Sequence, residues 1–428
     1  AHAQMGGLDF VVHSIAWAPL AERYRTDSTT SAETPEVRLA TSIRSTPANR
    51  IRTGVWASSP AMGWRGLMLD VARHFRPVDE VCRVIELMAM HHLNVLHLHL
   101  SDDQGWRFAV ERHPRLASAG GRRERTQRGH GPLSTVVEGV HEGFYTHEDA
   151  RRIVAFAASR FVTVVPEIEV PAHVQAALAA YPELGNLDVT GEDAPDAPWP
   201  RFGINRHTLN IDEETVAFFC DVLDEVAAVF PSPWIGLGGD EAKRDEWAAS
   251  PRIAERMSEL GLADVTAVQP WFMSRLAAHL RTLGRTPFAW DEAISGVEMW
   301  DTPPAVATWR GKVAQREALR RGLDVVACDD LFAYLAYRQS ESPDEPAPVG
   351  PPLTLRGAYD FDPLGMVDAS ALGEPLGTPG RVLGGQACLW TEHVPDRARL
   401  DFMAFPRLCA IAERLWSVRA PDFAGFER

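Results

Sequence analysis

Two adjacent carboxylates, Asp240 and Glu241, follow a pair of glycines at the end of an apolar run over 233–239. Neighbouring side chains on a β-strand point to opposite faces, so both carboxylates can share one pocket only where the strand ends and the backbone bends. Gly238 and Gly239 permit such a bend because glycine adopts positive φ without steric cost. The four residues therefore indicate a candidate chemical site at a strand end.

Other predicted strands end in residues of the same kind. These strand-end segments are rich in acids, histidine and tryptophan: 97–103 (HLHLSDD), 167–173 (EIEVPAH), 290–292 (WDE), 309–310 (WR) and 390–392 (WTE). Tryptophan faces beside acidic groups suit a sugar, whose C–H faces stack on rings while its hydroxyl groups bind carboxylates and arginine. If these strand ends meet, we expect a carbohydrate pocket.

The elements that would bring these ends together repeat one pattern from about residue 65. Eight apolar runs are predicted strands: 66–72, 94–102, 162–170, 233–239, 286–291, 305–310, 323–329 and 381–390. Amphipathic patterns between them predict helices over 78–92, 147–160, 213–229, 268–283, 313–322 and 400–417. Near-continuous apolar runs are typical of parallel strands that are buried on both faces. We therefore predict an α/β protein with a (β/α)8 TIM barrel over residues 61–428.

Two long loops and the start of the chain depart from this rhythm. The loops over 103–146 and 338–380 each follow a strand, which places them on the face of the barrel that carries chemistry. Residues 1–60 include a Thr/Ser-rich tract and show no βα pattern. We interpret them as a small or truncated N-terminal element.

Charge and composition exclude several classes of function. The 428 residues include 43 basic and 58 acidic side chains, a net charge of −15, which argues against a nucleic-acid partner. Lys243 and Lys312 are the chain's only lysines, so Schiff-base chemistry has few candidates. The five cysteines show no CxxC spacing, and no apolar run approaches a membrane span, so we expect no zinc site, no disulfide framework and no membrane partner.

A cluster of histidines raises the question of a metal. His91, His92, His97 and His99 precede Asp102 and Asp103, and His97 and His99 share one side of a strand. A metal site needs a third ligand at matching depth, which the sequence does not clearly supply. We predict no metal and interpret these residues as buried, hydrogen-bonded histidines.

The motifs together resemble the family-20 β-N-acetylhexosaminidases. The similarity covers roughly 65–417 and is carried by the runs at 65–75 (RGLMLDVARHF), 97–107 (HLHLSDDQGWR), 166–173 (PEIEVPAH), 238–241 (GGDE) and 388–392 (CLWTE). The resemblance implies a (β/α)8 barrel that removes terminal β-linked N-acetylhexosamine with retention of configuration, without a metal or an organic cofactor. The implied partner is an oligosaccharide or glycan that ends in such a sugar, and we expect a secreted or extracytoplasmic bacterial location.

The resemblance also implies a role for individual residues. Glu241 would be the general acid and base, and Asp240 would orient the 2-acetamido group of the substrate. The remaining implied site residues bind or enclose the sugar, or support the acid: Tyr334 on the acetamido carbonyl, Trp290, Trp309 and Trp390 as walls, Arg73 and Glu392 on hydroxyl groups, and Asp102 and His173 as a polar relay.

The spacing of the carboxylates agrees with this chemistry. Ordinary retaining glycosidases hold two carboxyl groups about 5–5.5 Å apart on opposite sides of the scissile bond, which suits residues on different strands. Sequence neighbours fit better if the acetamide oxygen of the substrate is the nucleophile and closes to an oxazolinium ion. Asp240 then stays ionised beside the developing positive charge, while Glu241 donates a proton.

Three positions depart from the family pattern. Gly236 stands where the family commonly has histidine, and Glu169 stands where it has aspartate. Ala336 replaces the aspartate that would hold O4 and O6, which frees space and removes a negative charge where a C6 substituent projects. We hypothesise that a C6-modified sugar such as 6-O-sulfated GlcNAc is accepted, with partners at 338–339 (RQ); a carboxylate such as Asp360 or Asp362 would be the alternative replacement.

Two other functional classes compete with this interpretation. The departures at Gly236 and Ala336 would also suit a catalytically inactive carbohydrate-binding protein on the same barrel. An unrelated barrel hydrolase could instead use two distant acids such as Asp102 and Glu241. It would cleave sugars that lack a 2-acetamido group, which the substrate-assisted route does not do efficiently.

Overall fold

The computed structural model describes residues 59–342, 345, 350–365 and 378–427, and within them eight parallel strands close into a barrel. The barrel strands are β1 (Trp64–Asp70), β2 (Val95–His99), β3 (Thr163–Glu167), β4 (Trp234–Gly236), β5 (Thr286–Trp290), β6 (Ala305–Thr308), β7 (Val325–Ala327) and β8 (Val382–Leu389). They neighbour one another in chain order, and β8 closes on β1. The predicted TIM barrel is confirmed, while the proposed N-terminal element lies almost entirely outside the described residues.

Helices alternate with the strands. The longest one after each strand other than β5 is, in chain order, α1 (Val78–Met90), α2 (His147–Ala158), α3 (Glu213–Val229), α4 (Val268–Thr282), α5 (Gly311–Arg320), α6 (Leu355–Tyr359) and α7 (Arg407–Trp416). Further α-helices occupy Arg115–Ser118, Gln175–Ala180, Leu187–Thr190, Asp245–Ala249, Pro251–Leu260, Asp330–Ala333, Arg397–Ala404 and Phe423–Phe426. The connection from β5 to β6 differs, because it contains the 3-10 turns Asp291–Ile294 and Val297–Met299 instead of an α-helix.

Two predicted elements are divided in the structure. The strand predicted over 94–102 leaves the barrel after His99, and Ser101–Asp102 pairs antiparallel with Gly105–Trp106. The helix predicted over 400–417 is two helices that meet at Pro406, because proline cannot supply the N–H that a continuous helix needs. The loop predicted over 103–146 carries an exposed hairpin, Arg122–Arg128 with Thr135–Glu142.

The core has two layers. Outside the barrel, α1 buries Val81, Ile85 and Met88, the face that its spacing predicts. Inside the barrel, the ring of Trp64 stacks on Phe288 with centroids 5.3 Å apart. Aromatic side chains thus fill the lower barrel, which leaves polar groups to the carboxyl ends of the strands. No helix in the described residues is long and apolar enough to cross a membrane.

The end of β4 bends sharply, as its glycines predict. Three of the four residues from Gly238 to Glu241 have positive φ: +61° at Gly238, +92° at Gly239 and +52° at Glu241. A methyl group on Gly238 would overlap the carboxylate of Glu169, and one on Gly239 would overlap the end of Met273. Both glycines are therefore required by their backbone conformation and by their neighbours.

We expect Gly238→Ala to lower the free energy of unfolding by about 2–4 kcal/mol, because it adds a steric overlap to a backbone penalty of about 1–3 kcal/mol. Urea unfolding of the variant measures this loss. The matched control is Gly261→Ala, since Gly261 has φ +66° but open space around its would-be methyl group. Equal losses in the two variants would contradict the role assigned to the overlap with Glu169.

Candidate active site

His173 lies at the centre of the site, between two pairs of carboxylates. Its Nδ1 is 3.3 Å from Asp102 Oδ1 and 3.3 Å from Asp103 Oδ2. On the other side, its Nε2 is 3.6 Å from Asp240 Oδ2 and 3.6 Å from Glu241 Oε2. The structure thus brings the predicted relay residues Asp102 and His173 to the predicted catalytic pair.

The charge state of His173 follows from these neighbours. Burial lowers its pKa, but the negative charges of Asp102 and Asp240 outweigh burial and hold the pKa well above its usual value. Both ring nitrogens then carry protons at neutral pH, so each can donate to a carboxylate. The imidazolium is therefore placed to favour the ionised forms of Asp102 and Asp240.

Asp102 is anchored from the opposite side by Arg73. Arg73 Nη2 lies 2.7 Å from Asp102 Oδ2, and Arg73 Nε donates to Gln104 Oε1 at 2.7 Å. His99 Nε2 is 2.9 Å from the same Asp102 oxygen. Although burial raises it, these positive groups and His173 hold the pKa of Asp102 well below its usual range. Asp102 is a permanently ionised anchor for His173.

A deeper layer of polar groups supports His99. Glu167 accepts from His99 Nδ1 at 2.6 Å and from His97 Nε2 at 2.9 Å. Burial lowers the pKa of His99, but hydrogen bonds to Asp102 and Glu167 raise it to about 10. The Cβ of Glu167 would lie 2.7 Å from a Cβ at Gly236, so glycine leaves room for this carboxylate on the neighbouring strand. Gly236, one of the three departures from the family pattern, thus leaves room for the carboxylate that supports His97 and His99.

Asp240 and Glu169 are acids in an environment that resists ionisation. Burial and the charge of Glu241 raise the pKa of Asp240 to about 6, against the effect of His173. Burial and the charge of Asp240 raise the pKa of Glu169 well above its usual value. Oδ1 of Asp240 and Oε1 of Glu169 are buried without a hydrogen-bond partner in the described structure. Asp240 therefore has a free acceptor atom inside the site.

Aromatic rings enclose the space beside the carboxylates. The ring centroids of Trp290 and Trp390 are 5.6 Å apart, and those of Trp309 and Tyr334 are 6.3 Å apart in a stacked arrangement. Tyr334 also lies 6.3 Å from Trp390. The three predicted tryptophans and Tyr334 thus form one cluster, although they come from four strand ends. Burial raises the pKa of Tyr334 well above its usual value, which keeps its hydroxyl protonated and able to donate.

Glu392 and Arg73 meet at the edge of this cluster. The Arg73 guanidinium lies over the Trp390 ring, 4.9 Å from its centroid. Burial raises the pKa of Glu392, while the positive charge of Arg73 opposes that rise. Arg73 is largely committed to Asp102, Gln104 and Asp70, so its contact with a sugar hydroxyl stays a prediction.

The structure adds Glu292 to the site, a residue that received no specific role from the sequence. Glu292 accepts from Trp309 Nε1 at 3.2 Å and lies 3.7 Å from Arg310 Nη1. Arg310 is also paired with Asp291, at 2.6 Å between Nε and Oδ1. Burial and the charge of Asp240 raise the pKa of Glu292 to about 8. The sequence places Glu292 in the strand-end segment at 290–292, which is the one feature that could have identified it. Its hydrogen bond to Trp309 arises because Trp309 lies at the end of the neighbouring strand β6.

Two further supporting residues received no role from the sequence, although Asp70 lies in the run at 65–75. The Asp70 carboxylate accepts from the backbone N–H groups of Ala72 at 2.8 Å and Thr391 at 3.0 Å, which fixes the chain beside Arg73. Gln386 on β8 lies 3.2 Å from His97. Strand pairing places both residues in the site, and a single sequence does not display that pairing in its local pattern.

The residues considered around position 336 are engaged elsewhere. Arg338 pairs with Glu341 at 2.5 Å, and Gln339 donates to backbone carbonyls of Phe402 and Phe405. The candidate replacement carboxylates have other partners: Asp360 pairs with Arg356, and Asp362 accepts from Leu364 N. These contacts assign none of the four side chains to the sugar site.

Three groupings of histidine and acidic side chains, the first two of them buried, could offer ligands to a cation. They are His99 with Glu167 and Glu169, Asp102 with Asp103 and His173, and His173 with Asp240 and Glu241. In the first two, hydrogen bonds and ion pairs already join members to one another or to Arg73. The predicted histidine cluster is divided, because His91 packs on Phe405 and His92 stacks on Trp416.

Comparison with known proteins places this geometry in a family. Residues 62–419 match glycosyl hydrolase family 20, catalytic domain. The chain is 37% identical to a β-hexosaminidase of Porphyromonas gingivalis over 86% of this chain and 45% of that protein. It is 33% identical to a β-hexosaminidase of Akkermansia muciniphila, over 86% of this chain and 71% of that protein.

A solved structure gives the same result. The exo-β-N-acetylglucosaminidase of Vibrio harveyi, crystallised with N-acetylglucosamine, is 34% identical with a TM-score of 0.74, over 86% of this chain and 56% of that chain. The chain thus spans about half the length of the Porphyromonas and Vibrio proteins. The match over residues 62–419, together with these identities, shows that the chain belongs to glycosyl hydrolase family 20.

Proposed function

We propose that the protein is a retaining exo-β-N-acetylhexosaminidase that acts on glycans with a terminal β-linked GlcNAc or GalNAc. The observation that carries this proposal is the placement of Asp240 and Glu241 on one side of His173, with Asp102 on the other. Membership of family 20 and the β-hexosaminidase names of its relatives support the same activity.

In the first step, Glu241 protonates the glycosidic oxygen while the bond from that oxygen to C1 breaks. The acetamide carbonyl oxygen of the substrate forms the new bond to C1 and closes an oxazolinium ring. Asp240, with its free acceptor atom, faces the positive charge that develops on the acetamide. The walls formed by Trp290, Trp309, Trp390 and Tyr334 hold the acetamide against C1.

In the second step, water attacks C1 and gives a proton to Glu241, and the bond from C1 to the acetamide oxygen breaks. Two inversions at C1 leave the configuration retained. His173 acts as a positioning residue. It stays protonated, which keeps Asp240 ionised. Because it lies between Asp102 and the catalytic pair, the fixed position of Asp102 also fixes the position of that pair.

The contacts of Asp102 argue against the distant-acid alternative. Asp102 is paired with Arg73 and His99, and His173 lies between it and Glu241. A carboxylate held by three positive groups is a weak nucleophile and a poor proton donor. A catalytically inactive binding protein would not need the perturbed acids, which cost stability.

We also propose that the site accepts a C6-modified sugar, because Ala336 supplies no carboxylate for O4 and O6. Without that negative charge, the site repels an anionic substituent such as a 6-O-sulfate less than it would with an aspartate at this position.

Glu241→Gln is expected to lower kcat for chitobiose by about 10²–10⁴, because glutamine cannot donate the proton. Steady-state kinetics measure this, with the exposed acid variant Glu255→Gln as a control that keeps full activity. If wild type releases no sugar from chitobiose or from 4-nitrophenyl β-GlcNAc, but binds GlcNAc, the binding-protein alternative holds.

Ala336→Asp is expected to raise kcat/KM for 4-nitrophenyl β-GlcNAc by about 10- to 100-fold, since a charge-assisted hydrogen bond contributes about 1.5–3 kcal/mol. The same variant should lower kcat/KM for the 6-sulfate of that substrate by about as much. Ala336→Asn separates charge from size. Wild type that shows no gain from C6 sulfation would refute the sulfate preference and leave the hexosaminidase activity standing.

The pKa of Asp240 predicts an acid limb in the pH profile. With a pKa of about 6, Asp240 is protonated below pH 6 and no longer steadies the positive intermediate. We expect log kcat/KM to fall as pH drops below about 6 and Asp240→Asn to abolish that limb at a rate about 10²-fold lower. An unchanged acid limb in Asp240→Asn would assign it to another group.

The same shift predicts a stability gain. Because the folded pKa of about 6 lies above the ordinary pKa of an aspartate, ionised Asp240 destabilises the fold above pH 6, and this cost vanishes below about pH 4. Asp240→Asn should therefore raise the free energy of unfolding at pH 7 by about 1–3 kcal/mol. Denaturant unfolding at pH 7 and pH 4 tests this against Asp301→Asn, an exposed acid. No gain at pH 7 would contradict the prediction.

A further inference from the structure

A cavity of about 670 Å³ opens beside the catalytic carboxylate. It begins at Glu241 and Glu292, is bounded by Gln269 and Pro270 of α4, and continues past Lys243 and Arg244. It lies where the β5–β6 connection has 3-10 turns instead of an α-helix. Its size is within the range of about 300–1,000 Å³ for small-molecule sites.

The position of Glu241 identifies which part of a substrate this cavity would receive. A general acid must reach the oxygen between the sugar that is released and the group that leaves. The aromatic cluster of Trp290, Trp309, Trp390 and Tyr334 encloses one side of that position. If the released sugar lies against this cluster, the cavity that runs from Glu241 to Lys243 is positioned for the group that leaves.

The acids that line the cavity are matched by arginines within it. Asp291 and Glu292 face Arg310, at 2.6 Å and 3.7 Å. Glu317 pairs with Arg321 at 2.5 Å. Apart from Glu241, the carboxylates that line the cavity are therefore neutralised by neighbouring arginines and repel a negative ligand only weakly.

Two positive side chains at the outer end of the cavity are not neutralised in this way. Lys243 and Arg244 are exposed, and neither forms an ion pair or a side-chain hydrogen bond with any part of the chain that the structure describes. Arg244 acts on Asp264 only at longer range, by lowering the pKa of that carboxyl. Lys243 is moreover one of two lysines in a chain of net charge −15.

We propose that this cavity is the binding site for the leaving group and that it favours an anionic sugar there, with Lys243 and Arg244 as its partners. The inference rests on the proposed hexosaminidase function, which it extends to the second sugar of the substrate. The shared chemistry is a negative group, carboxylate or sulfate, on the ring that follows the scissile bond. Val313, with 78% of its surface exposed on the cavity wall, offers an apolar edge to that ring.

Three disaccharides test the proposal: β-GlcNAc joined to O4 of glucose, of glucuronic acid, or of glucose 6-sulfate. Binding is measured by calorimetry on Glu241→Gln, which does not need turnover, and kcat/KM is measured on wild type. We expect the two anionic compounds to bind about 5- to 10-fold more tightly than the neutral one at low salt, and the gain to shrink to about 2-fold at 0.5 M NaCl. A gain for only one of them identifies carboxylate or sulfate as the favoured group.

Charge variants locate the effect. Lys243→Gln and Arg244→Gln are each introduced into Glu241→Gln. Each should reduce the ratio of the affinity for the anionic disaccharides to that for the neutral one by about 2- to 3-fold, and both together should bring it near 1. The control is Arg281→Gln, since Arg281 is an exposed residue in the last turn of α4, at the opposite face of the barrel, and it should leave the ratio unchanged.

Equal affinity for the three disaccharides would overturn the inference, as would a ratio that Arg281→Gln lowers as much as Lys243→Gln. Failure of wild type to release 4-nitrophenol from β-GlcNAc would instead refute the proposed function. The affinity ratio in Glu241→Gln remains a separate result, so the two failures are distinguishable.

Discussion

The ion pair between Arg73 and Asp102 is the constraint on which the site depends. Its N···O distance is 2.7 Å, and both side chains are almost fully buried. Removing one partner of such a pair leaves a buried charge without compensation, which costs about 3–5 kcal/mol. Because Asp102 stays ionised, His173 stays protonated, and because His173 is protonated, Asp240 can lose its proton near neutral pH. One fixed positive charge thus sets the protonation of groups on three strand ends.

The same arrangement contains features that lower the free energy of unfolding of the protein. Glu241 and His173 are non-glycine residues with positive φ, at +52° and +53°. Asp240 and Glu169 are acids whose burial opposes their ionisation. Each of these features is unfavourable in isolation and persists because the barrel strands around it are held by continuous hydrogen bonding. Glu241, His173 and the two acids all lie beyond the carboxyl ends of the strands, while the lower barrel is packed with apolar side chains.

The β5–β6 connection shows how a fold-level detail can shape specificity. A regular barrel would place an α-helix outside β5, and the two 3-10 turns found there leave space beside α4. The carboxylate of Glu241 borders that space, and the same connection supplies Glu292, which accepts a hydrogen bond from Trp309 of the aromatic cluster. One connection therefore contacts both the cavity proposed for the leaving group and the aromatic cluster.

The sequence by itself determined the barrel, the bend at Gly238 and Gly239 and the set of strand ends that carry chemistry. Those features are local: apolar periodicity, glycine before paired acids, and tryptophan after a strand. The resemblance to family 20 added the role of each residue. Only the tertiary structure decided that Glu167 fills the room beside Gly236, that Glu292 holds Trp309, and that Asp70 fixes Thr391. All three join residues of different strands, and the charge state of each buried acid depends on such neighbours, which a single sequence does not place in space.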